Sequence, residues 1–195
     1  MPEVSENTLA GPPDDHLMDR VGAGDLEALG ELAERHKDGL VNYLTRLTGS
    51  RERGEDLAQE AFLRLFGAAE RYRGDGRFPA YLYRIATNLA RSEQRRDRRW
   101  RQRLPVLLGG HGHDPECTAP ARLLRSESRR LIAEAISGLP LRLRVPLVLH
   151  ELEGWSYQAI AELLSVSEGT VKSRIFRGRE KLRQRLAPYW NGGPP

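Results

Sequence analysis

From His16 to about Arg103, apolar residues recur at steps of three and four, the spacing that gives a helix one buried face. The pattern breaks at Gly22-Ala23-Gly24, Gly49-Ser50 and Gly74-Asp75-Gly76, so it predicts a series of helices and not one long one. Residues 104–121 lose the period and are rich in Gly and Pro, which reads as a linker. The helical period returns near Arg122 and runs to about Trp190, before a breaker cluster at Asn191–Pro195. Residues 1–15 hold Pro, Gly and acids with no apolar stripe, and read as a disordered tail. No segment shows the two-residue alternation of a half-buried strand. The expected fold is all-α: two small helical domains, 16–103 and 122–190, joined by a flexible linker.

The segment Ser156–Leu186 is the most specific. Ser156 suits a helix N-cap, and Tyr157, Ile160, Ala161 and Leu164 then mark one face of a short helix. Ser165-Val166-Ser167 makes a tight turn. Glu168 opens a second helix, where an acid suits the positive end of the dipole. At 100° per residue, Val171, Ile175, Gly178, Leu182 and Leu186 fall on one stripe. Gly178 in that stripe predicts close approach to a neighbour. The other side carries Ser173, Arg174, Phe176, Arg177, Lys181 and Gln184. Basic residues at the start of such a helix reach guanine edges or phosphates, and a ring among them can touch a thymine methyl. A short helix, a three-residue turn and a basic second helix predict a helix-turn-helix. Pro146 lies upstream in an apparently helical stretch, so a kink or break is expected near Arg142–Val145.

Two segments of the first domain carry further chemistry. In Glu55–Phe66, Leu57, Ala58, Ala61, Phe62 and Leu65 share one side. Asp56, Gln59, Glu60 and Leu63 share the other, and a large apolar residue among acids suits docking of a basic, partly apolar partner. Beyond Pro79, Leu82, Ile85, Ala86 and Leu89 face inward, opposite a polar stripe of Arg84, Asn88, Arg91, Arg95 and Arg98. The Asn88 amide offers both donor and acceptor to a base edge, and arginines stack on bases or pair with phosphates. Tyr72, Phe78, Tyr81, Tyr83 and Trp100 add aromatic surface, although Tyr81 and Tyr83 fit the core better.

Charge sharpens this picture. Residues 1–80 carry a net charge of −6, residues 81–103 of +6 and residues 168–186 of +5. Two basic segments behind an acidic front fit two contacts with a polyanion and a different partner for the front; two solvated helical faces are the plainer alternative. The single cysteine, Cys117, allows no intrachain disulfide and fits a reducing, cytoplasmic setting. No run reaches the ~18 apolar residues of a membrane helix, and Met1–Asp15 lacks the pattern of a secretory signal. His111, His113 and Cys117 cluster in the linker without a fourth ligand, so neither a metal nor a cofactor is expected. No phosphate loop, Ser-His-Asp order or paired-carboxylate pocket is present, and the chain reads as a non-enzyme.

Two stretches resemble one family. GLPLRLRVPLVLHELEGWSYQAIAELLSVSEGTVKSRIFRGREKLRQRL is similar to region 4 of extracytoplasmic-function (ECF) RNA polymerase sigma factors, in which the turn position held here by Ser165 is usually Gly, so the resemblance implies a left-handed backbone at Ser165. EDLAQEAFLRLF and RYRGDGRFPAYLYRIATNLARSEQRRDRR are similar to their regions 2.2 and 2.3–2.4. The resemblance implies that Lys172, Ser173, Phe176 and Arg177 face a duplex −35 element, with Arg174 and Arg179 near phosphates. It implies that Asp56, Gln59, Glu60 and Leu63 grip the β′ clamp helices of core polymerase, with the β flap as a further contact of the C-terminal domain. It also implies that Arg73, Arg84, Asn88, Arg91 and Arg95 hold separated −10 bases, with Asn88 in a pocket for a flipped base that the loop Arg73–Phe78 shapes. Promoter DNA, core polymerase and an anti-sigma protein are the partners so implied. A conventional helix-turn-helix regulator is the competing reading; it would bind duplex alone and would not need the Asp56–Leu63 face.

Overall fold

A computed structural model describes residues 12–74, 76–103 and 120–190. Eight α-helices occur among them: α1 (Asp14–Gly22), α2 (Leu26–Thr48), α3 (Arg51–Ala68), α4 (Phe78–Arg103), α5 (Pro120–Ser137), α6 (Leu141–Glu151), α7 (Tyr157–Leu164) and α8 (Glu168–Trp190). No strand occurs among the described residues. The expected all-α fold and its glycine breaks are therefore observed. The first helix starts two residues earlier than the period indicated, at Asp14. Residues 1–11, most of the expected linker and the HxHxxxC cluster lie outside the described residues.

Local chemistry sets the helix ends. The Asp25 carboxylate caps α2, accepting from the backbone N–H of Glu27 at 2.9 Å and of Ala28 at 3.2 Å. The Ala28 N–H, with Arg20 next, holds that carboxyl below its ordinary pKa. Gly49, at φ +78°, ends α2 in the left-handed region, and Ser50 caps α3 one residue later. The chain thus folds back at once, and α2 and α3 pack closely enough that a Cβ on Gly54 would lie 2.8 Å from the Thr45 backbone nitrogen. Leu17, Met18, Leu32, Leu40, Tyr43, Leu44, Leu65, Phe78 and Leu82 form the buried centre of the first unit.

The second unit is built by α5–α8 around Leu139, Val145, Leu149, Ile160, Val171 and Ile175. The expected break at Arg142–Val145 does not occur. The chain breaks earlier, at Gly138-Leu139-Pro140, and α6 runs unbroken from Leu141 through Pro146. Pro146 lies only five residues into the helix, so it removes a single ladder bond, the one to the Arg142 carbonyl.

The two units dock on one another, which the sequence did not predict. Helix α2 packs on α5 and α6, and α4 packs on α7. At the seam the Trp155 ring lies 5.2 Å from Tyr83, which lies 4.9 Å from the buried Tyr43. Each such ring pair adds about 0.5–1.5 kcal/mol beyond its area. Arg144, 5% exposed, donates to the carbonyls of Leu47 on α2 and of Ser137, and to that of Leu139 at 2.6 Å.

Candidate nucleic-acid interface

In the C-terminal unit, the Ser156 side chain caps α7 by accepting from the Ala159 N–H at 3.1 Å. Ser165 takes φ 54° and ψ 51°, the left-handed conformation expected at that turn. It lets the backbone N–H of Val166 reach the Ala161 carbonyl at 3.0 Å and close the helix end. The Ser167 hydroxyl then accepts from the Thr170 N–H at 3.2 Å and starts α8. Val171 and Ile175 are buried, and Gly178 lies against α6, where an added Cβ would meet Leu147 at 3.4 Å. The predicted inner stripe and close approach are both present.

That packing fixes which side of α8 meets water. Lys172, Ser173, Phe176, Arg177 and Arg179 are exposed, Phe176 to 69%, and Arg174 is half-buried. An aromatic ring this exposed between arginines has no partner in the fold that would explain it. Lys172 extends over the Tyr157 ring of α7 at 5.5 Å. Arg179 differs from its neighbours: it donates through Nε at 2.9 Å and Nη2 at 2.5 Å to one carboxylate oxygen of Glu151. Hydrogen bonding to Glu151 raises the Arg179 pKa. An arriving phosphate competes with that carboxylate.

In the first unit, α4 buries Leu82, Ala86 and Leu89 and turns Arg84, Asn88, Arg95 and Arg98 to solvent. Arg91 is half-buried beneath them. Burial lowers the pKa of its guanidinium, and the cations Arg174 and then Arg95 lower it further. Arg91 on α4 and Arg174 on α8 therefore lie within electrostatic reach of each other.

At the start of α4 a cleft of about 380 Å³ is lined by Arg71, Tyr72, Arg73, Arg77, Tyr81 and Arg84 from the first unit. Arg84 lies 5.3 Å from the Tyr81 ring centroid. Planar cations beside aromatic faces suit an unstacked base and its phosphate. From α7, Glu162 closes the cleft and pairs with Arg77 at 2.7 Å. The sequence reading had Arg73 and Arg84. It named Arg77 only within the loop Arg73–Phe78 and missed Arg71, which lies before α4, where no periodicity marks a face. Tyr83 is core as expected, while Trp100 is 67% exposed beside Arg95, Arg96 and Arg99.

A third surface lies on α3. Asp56, Gln59 and Leu63 are exposed, and Glu60 is half-buried and pairs with Arg64 at 2.8 Å. Leu63 is 60% exposed, and Phe66, one turn further on the same side, is 41% exposed. Phe66 closes the segment Glu55–Phe66 but was assigned to neither face; its spacing from Leu63 was the available signal. Among the described residues no group of three His, Cys, Asp or Glu could hold a metal ion. No helix among them is long and apolar enough to cross a membrane.

Residues 32–101 match the family described as Sigma-70 region 2, and residues 129–182 match Sigma-70, region 4. The chain is 35% identical over 183 residues to the ECF RNA polymerase sigma-E factor of Haemophilus influenzae, covering 90% of this chain and 96% of that one. It is 34% identical over 187 residues to the RNA polymerase sigma-H factor of Pseudomonas aeruginosa, covering 92% and 97%. Among solved structures, the fold is similar to CnrH in complex with the cytosolic domain of CnrY (TM-score 0.67, 24% identity, 91% of this chain and 99% of that one). It is also similar to the sigma factor RpoE in complex with the anti-sigma factor NepR from Bartonella quintana (TM-score 0.65, 21% identity, 81% and 96%). With both Sigma-70 regions in order and ECF relatives matched over nearly their whole length, the chain belongs to the ECF sigma factors of the sigma-70 family.

Proposed function

We propose that the three surfaces divide the work of a sigma factor, which directs RNA polymerase to promoters. The α8 face of Lys172, Ser173, Phe176 and Arg177 reads a −35 duplex, with Arg174 and Arg179 at its phosphates. The α4 face of Arg84, Asn88, Arg91 and Arg95, with Arg73 in the cleft before it, holds separated −10 bases. Asp56, Gln59, Glu60 and Leu63 on α3, extended by Phe66, grip the β′ clamp helices, and the C-terminal unit also meets the β flap. Nucleotide chemistry belongs to the polymerase, and the working compartment is the cytoplasm. An anti-sigma protein is a further partner, as in the complex of the similar RpoE.

One observation carries the assignment. Each cationic helix exposes, inside its arginine stripe, one side chain that phosphate binding alone does not require: Asn88 on α4 and Phe176 on α8.

The docked arrangement is that of the chain away from its promoter. Elements named −35 and −10 are 25 positions apart, about 85 Å of B-DNA at 3.4 Å per step. Helix α4, at 1.5 Å per residue, is about 39 Å long, and α7 rests against it. Both elements are reached together only when the units separate.

In vitro transcription with core polymerase and a randomised promoter library tests the proposal. The expected result is stable binding to core, a −35 and a −10 preference, and loss of open complexes with Asn88→Ala at unchanged core affinity. A chain that binds duplex but not core would be a conventional regulator.

A further inference from the structure

At the start of α1, Asp14 and Asp15 serve different neighbours. Asp14 accepts from Arg35 Nη1 at 3.1 Å and lies 2.8 Å from His36 Nε2, which ties α1 to α2. Asp15 points to the turn before α4. One of its carboxylate oxygens accepts from the Tyr72 hydroxyl at 2.5 Å, and the other from the Gly76 backbone N–H at 2.6 Å. Charge-assisted bonds of this length are the strong ones, and two of them on one carboxylate fix direction as well as distance.

The turn is shaped around that carboxylate. A Cβ at Gly74 would lie 3.1 Å from the Asp15 Cβ, so a side chain there would push Asp15 away. Gly76 takes φ +68°, which presents its N–H to Asp15 and which other residues rarely adopt. Below, Phe78 is 1% exposed, with its ring centroid 5.1 Å from His36 and 6.3 Å from Tyr72. Asp15 thus joins a rigid helix base to Tyr72, which lines the arginine–tyrosine cleft, while Asp15 itself does not line it.

We propose that Asp15 is a positioning residue for −10 recognition: from α1 it fixes the turn at Gly74 and Gly76, and so sets the shape of the cleft that receives an unstacked base. This rests on the assignment of −10 recognition to α4 and the cleft before it. Gly74 and Gly76 are exposed, so loss of the tie moves the turn more than it unfolds the chain.

The test uses the full chain with core polymerase and a promoter library randomised in the −10 element, scored by open complexes. Asp15→Ala is expected to keep core and −35 duplex affinity within about twofold. Discrimination at one −10 position should fall about tenfold, within the range of one base pair's contribution. Asp15→Asn, which keeps an acceptor, should restore most of it, and Tyr72→Phe, which loses one bond but keeps the ring, should fall between. Asp14→Ala, which cuts only the tie to α2, should leave the profile unchanged. Asn88→Ala runs beside them. A profile flattened by Asn88→Ala but untouched by Asp15→Ala and Tyr72→Phe overturns the role of Asp15 alone. A profile untouched by all three overturns the placement of −10 bases at α4, and the role of Asp15 with it. A uniform fall across all sequences, matched by lost core affinity, makes Asp15 a purely structural residue and overturns its positioning role.

Discussion

The guanidinium of Arg46 on α2 lies 2.5 Å from the carboxylate of Glu153, which follows α6, so this ion pair, like that of Arg77 with Glu162, bridges the two units. Glu153 is held under the seam beside the Tyr83 hydroxyl, 3.4 Å away. Burial raises its pKa above the ordinary carboxylate value, and Arg46 only partly offsets this. A folded-state pKa above the unfolded one means that the folded chain holds the proton more tightly. This contribution to stability is therefore largest below the unfolded value, near pH 4.5, and is lost as pH rises through the folded one. Glu153→Gln should flatten the pH dependence of the urea midpoint in that window and cost little at pH 7. Arg46→Ala leaves the carboxylate without its cation and should cost about 1–2 kcal/mol, a value discounted because Arg46 is more than one-third exposed. Equal pH slopes in wild type and Glu153→Gln would count against this account.

Arg144 is the costliest polar residue of the seam to lose. Its guanidinium serves three carbonyls at once, and burial brings its pKa down to about 10, so it is still charged at pH 7. Arg144→Ala should destabilise by about 2–4 kcal/mol in denaturant titration. Arg144→Lys should recover only part, since an ammonium lacks the planar fork that reaches all three. Full recovery by lysine would show that charge alone matters.

On α8, Arg177→Ala should weaken −35 duplex binding by about 1–3 kcal/mol and relax preference at one base pair if the contact is to a base edge. If it is to phosphate, the loss will be uniform and the salt slope will fall by about 1. Fluorescence anisotropy with matched and mismatched duplexes at two salt concentrations separates these. No loss on any duplex would remove Arg177 from the interface.

On α3, Leu63→Ala and Phe66→Ala should each lower core polymerase affinity about tenfold while leaving the melting temperature within a degree or two. Both side chains already meet solvent, so truncation creates no cavity. Affinity unchanged in both variants would move the docking surface elsewhere.

Much of the fold was legible because its helices are amphipathic and their ends are marked by Gly22-Ala23-Gly24, Gly49-Ser50 and Ser156. The α8 surface was legible for the same reason: once Val171, Ile175 and Gly178 face inward, Phe176 and Arg177 must face out. The docking of the units was not. A period identifies a buried face but not what buries it, and Tyr83 and Trp155 look alike whether they pack within a unit or across the seam. Pro146 misled because its cost depends on its place in a helix whose start the period alone left open. Asp15 was hidden by its partners, a backbone N–H and a tyrosine 57 residues away.

The pairing of Arg77 with Glu162 has a thermodynamic signature. A cation that binds a nucleic-acid phosphate frees the dissolved cation condensed there, together with any dissolved anion it held itself, and both releases steepen the dependence of affinity on salt. Here the counter-ion is a side chain covalently part of the same molecule. A phosphate that takes Glu162's place still gives up its own condensed cation but frees no dissolved anion from the protein side. The anion it displaces is a tethered carboxylate, so binding there would cut one tie between the cleft and α7.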